Sequence, residues 1–92
     1  MITAIVFVQA DVARIHDVAE EIAALDHVSE VYSVTGEIDL VALVRVSSHE
    51  AIAEVVADRL NKVEGVLATE THIAFRAYSK HDLEAAFALG AD

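Results

Sequence analysis

The spacing of hydrophobic and polar positions changes several times along the chain, and each change predicts an element. Residues 2–9 (ITAIVFVQ) are apolar at nearly every position and rich in β-branched and aromatic side chains, which predicts a short strand covered on both faces. From Asp11, a natural N-cap, apolar residues recur at helical spacing: Val12, Ile15, Val18, Ala19, Ile22 and Leu25. Arg14, Asp17, Glu20 and Glu21 take the opposite face, so an amphipathic helix is expected. Asp26-His27 ends it. Residues 28–46 (VSEVYSVTGEIDLVALVRV) then form two strand-like runs broken at Thr35-Gly36-Glu37, the pattern of an antiparallel hairpin whose glycine supplies positive φ.

Ser47-Ser48-His49-Glu50 has the S-x-x-E form of a capping box, with the Ser47 oxygen receiving a backbone N–H. The second helix that it opens has the stripe Ile52, Val55, Val56, Leu60 and Val63, and Gly65 is placed to end it. Residues 66–78 read as a fourth strand, and 80–89 as a short terminal helix stopped by Gly90. The order is strand, helix, strand, strand, helix, strand. Two helices with one apolar stripe each both fit one face of a four-stranded antiparallel sheet, so the expected fold is α+β, the ferredoxin-like βαββαβ arrangement. The 92 residues make a single domain, with 79–92 as a C-terminal tail or short helix.

Both registers of the inner strands are apolar: Ile5 and Phe7 against Ala4, Val6 and Val8, and Val41 and Leu43 against Leu40, Ala42 and Val44. Helices cover one side only. Exposed apolar patches beyond a few hundred Å² are rare in monomers (order of magnitude), so the second face is expected to bury itself against another copy in a homodimer, a dimeric α+β barrel, with further assembly beyond.

Composition then narrows the function classes. Sixteen acidic against six basic residues give a net charge of −10, which opposes direct nucleic-acid binding, because that affinity comes from Lys and Arg displacing counterions. The absence of cysteine rules out disulfides and thiolate metal sites and is compatible with a cytoplasmic protein. Apolar runs too short for a bilayer and a start without a basic leader argue for a soluble chain that makes no membrane contact. The five histidines, His16, His27, His49, His72 and His81, lack metal-site spacing; His72 is the one of interest, on the sheet face opposite Thr71, alongside Glu70 or Arg76. No phosphate loop or nucleophile motif occurs, so neither a cofactor nor catalysis is expected.

The turn Gly36-Glu37-Ile38-Asp39, together with Gly65-Val66 and Thr69 and Thr71 on the last strand, resembles the effector-binding (RAM) domain of the Lrp/AsnC feast/famine regulators over residue 2 to roughly residue 77. Ile38 departs from the pattern, since family members often carry Tyr or Phe there. The family's helix-turn-helix is not seen, so the chain looks like a stand-alone member. The resemblance implies dimers joined through their sheets, rings of dimers, and an amino-acid effector held between dimers. Its lining would come from the hairpin turn and the last strand, with Asp39 facing the ammonium and the amides around Gly36 and Glu37 facing the carboxylate. Tyr32, Ile38, Thr69 and Thr71 would complete the pocket. It implies partnership with full-length Lrp/AsnC regulators. From the residues alone, Asp39 also reads as a turn aspartate bonding back to turn amides, and Thr69 and Thr71 as ordinary strand formers.

Two other readings share the fold. A cofactor-independent monooxygenase or isomerase would need a polar group, His72 or Tyr32, in a pocket between helices and sheet. An amino-acid-binding domain of the ACT type would carry its glycine loop after the first strand, where this chain has Gln9-Ala10-Asp11.

Overall fold

The computed structural model describes residues 1–78. Strand β1 (Ile2–Ala10) leads through a 3-10 turn (Val12–Arg14) into helix α1 (Ile15–Ala23); β2 (Val28–Ser33) and β3 (Leu40–Val46) follow, then α2 (His49–Ala53) and β4 (Val66–Ile73). The four strands form one sheet in the order β2-β3-β1-β4, with all neighbours antiparallel. This is the ferredoxin-like α+β fold expected from the pattern.

The helices lie on the side of the smaller side chains. Ala4, Val6, Val8 and Ala10 of β1 and Leu40, Ala42, Val44 and Val46 of β3 are buried, and so are Val18, Ile22, Ile52, Val55, Val56 and Leu60 from the helical layer. Removing this apolar surface from water is the main term that holds the layers together. No polar side chain is buried among the described residues.

Four boundaries differ from the expectations. Val12 is 82% exposed instead of lying on the helix stripe, because the Asp11 carboxylate accepts the Ala13 N–H and starts a tighter 3-10 turn whose period rotates Val12 outward. The second helix is capped by Ser48, whose Oγ accepts from Ala51 N at 3.2 Å, not by Ser47. Ser48 is the residue with extended backbone angles immediately before the helix, which is what an N-cap requires. Beyond α2 the chain continues as a π-helical stretch (Glu54–Arg59) and a 3-10 turn (Leu60–Lys62) before Gly65. The last strand stops at Ile73, not Tyr78, although β1 continues two residues past Ala4, its partner there; Ala74 N still donates to Thr3 O at 2.9 Å. The terminal helix expected over 80–89 lies outside the described residues.

The hairpin connection is also wider than a three-residue turn. It spans residues 34–39, with Gly36 at φ +106°, a value that side-chain-bearing residues rarely adopt.

Candidate functional site

Residues paired across antiparallel strands share a face, so the register defines the side of the sheet that the helices leave open. One row across it is Tyr32, Val41, Phe7 and Glu70; the next is Glu30, Leu43, Ile5 and His72. Its centre is therefore four apolar side chains, and its margins are polar. His72 Nε2 lies 3.1 Å from Glu70 Oε2, its ring meets Phe7 edge-on at 5.2 Å, and the Tyr32 hydroxyl donates to Glu30.

At the Gln9 end of this face the 34–39 loop overhangs the sheet and encloses a cleft of about 300 Å³. Phe7, Gln9, Glu37, Ile38, Ala68, Thr69 and Glu70 line it. Two acidic residues, Gln9 and two large apolar residues thus border one volume of small-molecule size, while the Thr69 hydroxyl is turned away to Asn61 on the helix side.

The loop is fixed from a distance. Leu40 pairs with Val8, so Ala10 stands beyond the end of the β1–β3 ladder, and the Asp39 carboxylate takes its N–H at 2.8 Å. Asp39 N donates to Val8 O at 3.0 Å, and Val34 N to Asp39 O at 3.0 Å. Across the other edge, the β1–β4 register shifts between Gln9 and Ala10, a bulge that turns the end of β1 towards Gly65, whose carbonyl accepts from Asp11 N at 2.8 Å.

Residues 3–83 match the model of the family described as the Lrp/AsnC ligand binding domain. The chain belongs to that family. An uncharacterised HTH-type transcriptional regulator of Pyrococcus horikoshii is 44% identical over 59 residues, which is 64% of this chain and 39% of that protein. The chain spans about two-fifths of the length of the first curated relatives it matches. The crystal structure of a Thermus thermophilus protein superimposes with a TM-score of 0.81 at 49% identity, covering 87% of this chain and 100% of that one. A feast or famine regulatory protein from M. tuberculosis, complexed with L-methionine, superimposes with a TM-score of 0.72 at 28% identity, covering 87% of this chain and 54% of that one.

Within this Lrp/AsnC domain the residues singled out from sequence separate into groups. Glu37, Ile38 and Thr69 meet at the cleft. Gly36 shapes the loop without lining it. Asp39 is engaged by the Ala10 amide, a partner on another strand and not in its own turn. Thr69 and Thr71 do share a face, but it is the helix side, opposite Val8 and Val6; Thr69 donates to Asn61 Oδ1 at 2.7 Å, and Thr71 is exposed. Tyr32 sits in the open-face row with Phe7, at the opposite edge of the sheet from Glu70, with two strands between them.

The sequence reading missed Phe7, Gln9, Ala68 and Glu70. Their signal was parity: once β4 pairs with β1, Phe7 with Glu70 and Gln9 with Ala68 fall on the face opposite the helices. Among the described residues no group of three His, Asp or Glu side chains is placed to hold a metal ion, and no helix is long and apolar enough to cross a membrane.

Proposed function

We propose that this chain is an effector-sensing assembly module, in which an amino acid taken up at the 34–39 loop changes how dimers associate. The observation that carries the reading is the cleft itself: it joins a loop, an apolar wall and carboxylates beside an apolar sheet face. A zwitterion needs an anion for its ammonium group and N–H donors for its carboxylate. Glu37 supplies the first, loop amides around Gly36 supply the second, and Phe7 and Ile38 receive an apolar side chain. Asp39 sets the loop position, while Tyr32, Thr69 and Thr71 stand at positions that a neighbouring dimer can bring into the enclosure.

The family match and the L-methionine complex named for the M. tuberculosis relative support an amino-acid effector. The sheet face left open by the helices supports a homodimer, with higher assembly setting the effector response. Any influence on transcription passes through co-assembly with a full-length Lrp/AsnC regulator. On this reading the module is not catalytic; in support, the core between helices and sheet buries only apolar side chains among the described residues, and His72 and Tyr32, the candidates for a monooxygenase or isomerase, both lie on the opposite face.

Light scattering with and without a panel of amino acids tests this, together with capture of a full-length regulator on the immobilised chain. A change of mass on adding at least one amino acid is the expected outcome, because an effector shifts an equilibrium only if it binds the two assemblies unequally. Unchanged mass throughout, with no captured regulator, rejects the reading.

A further inference from the structure

The cleft under the 34–39 loop is one-sided in charge. Glu37 and Glu70 border it, and among the described residues no lysine or arginine does. Four arginines stand elsewhere: Arg14 pairs with Glu64, Arg59 with Asp26, and Arg45 and Arg76 line a separate groove at the Thr3 end of the sheet. Six residues of strand separate Thr3 from Gln9, about 20 Å at the usual rise per residue. Among the described residues, the one side chain that meets either acid is His72, whose Nε2 lies 3.1 Å from Glu70 Oε2. The other carboxylate oxygen of Glu70, and both of Glu37, have no hydrogen-bond partner there.

The two acids belong to different walls. Glu37 is part of the loop that overhangs the face, whereas Glu70 stands on β4, in register with Phe7 of β1. Strand β1 runs between β4 and β3, the strand that the loop enters, so Phe7 and Gln9 form the floor between the acids. An amino acid with a neutral side chain brings one cation, its α-ammonium group, and one acid satisfies it. The second acid then loses water to an apolar side chain without gaining a partner, which costs binding energy.

We propose that the effector of this cleft is an amino acid with a basic side chain, whose ammonium or guanidinium group pairs with Glu70 beside Phe7 while Glu37 takes the α-ammonium group. This rests on the effector reading proposed above and adds the class of side chain. Charge-assisted hydrogen bonds to a carboxylate are about twice as strong as neutral ones, and a cation over an aromatic ring gains further attraction. The Gln9 side-chain carbonyl offers another acceptor. A basic side chain also lays its methylene stem against Ile38 while its charged head reaches the acid. Neither acid is then left unpaired. An acidic side chain is rejected by the same arrangement, since it sets a third negative group against two.

Isothermal titration calorimetry on the full chain tests the class with L-lysine and L-norleucine, which differ only in the terminal ammonium group. L-Lysine is expected to bind about tenfold more tightly. Glu70→Gln is expected to weaken L-lysine about tenfold and to tighten L-norleucine, since it removes the acid that an aliphatic end strips of water. Damage to the fold would weaken both ligands together, so the opposite signs separate specificity from instability. Glu70 is exposed, and circular dichroism of the variant is expected to match the parent. The diamine 1,5-diaminopentane, which keeps two cations and lacks the carboxylate, is expected to bind about tenfold more weakly than L-lysine. A diamine that equals L-lysine overturns the amino-acid class. L-Norleucine binding as tightly as L-lysine, or a Glu70→Gln variant that keeps the preference for L-lysine, overturns the basic side chain and leaves the effector reading standing. So does a mass change brought about only by amino acids with neutral or acidic side chains. No binding by any amino acid, with the mass unchanged throughout, overturns both.

Discussion

Gly65 is held by two constraints at once. Its φ is +100°, and a Cβ there would come within 2.6 Å of Val18 Cγ2 on α1. Val18 is fully buried, so it has nowhere to retreat. Gly65→Ala is therefore expected to cost about 2–3 kcal/mol of unfolding free energy, the sum of a strained backbone and an overpacked core, readable as a lower urea midpoint. Alanine at Gly36 meets no atom within 4 Å, so only the backbone term applies there. Single residues also mark where sequence reading stops. That Gly36 and Gly65 bend the chain was legible, since each falls in a break between periodic runs. The partner of Asp39 was not, because Ala10 lies 29 residues away and becomes a free amide only through the β1–β3 register.

At the scale of elements, periodicity carried most of the information. The four strands, their order along the chain and, Val12 apart, the stripes of both helices were written in the runs and spacings of apolar positions. Ends were less legible, because a boundary depends on which of two adjacent serines adopts extended angles, or on where the pairing with a neighbouring strand ends. Ser48→Ala is expected to cost about 1 kcal/mol and to lower the melting temperature by about 4–8 °C. Ser47→Ala, with the Ser48 Oγ–Ala51 N bond intact, is expected to change it by less than a third of that, as surface substitutions away from caps do. Equal losses from both would return the cap to Ser47. The faces of Thr69 and Thr71 were half legible: a two-residue period puts them on one side, but only pairing with Val8 and Val6 says that it is the helical side.

For the molecule as a whole, two registers of apolar residues in one sheet require two covers, and the described residues supply one. Ile5 lies on the uncovered side and outside the buried core, so if the proposed homodimer forms, Ile5→Glu is expected to leave circular dichroism unchanged while shifting sedimentation to the 9.9 kDa species. A dimer that persists with glutamate at that position would mean that another surface joins the copies. The tie between Asp39 and Ala10 matters at this scale too. A hairpin tip rooted only in its own two arms would flap freely, but this one has a third foothold, on an inner strand that borders both halves of the sheet. A guest of the kind proposed, tugging the tip, would drag that strand along, so that what is felt at one rim would be passed to the opposite rim through the two bonds Asp39 makes to Val8 and Ala10, a tripod's third leg.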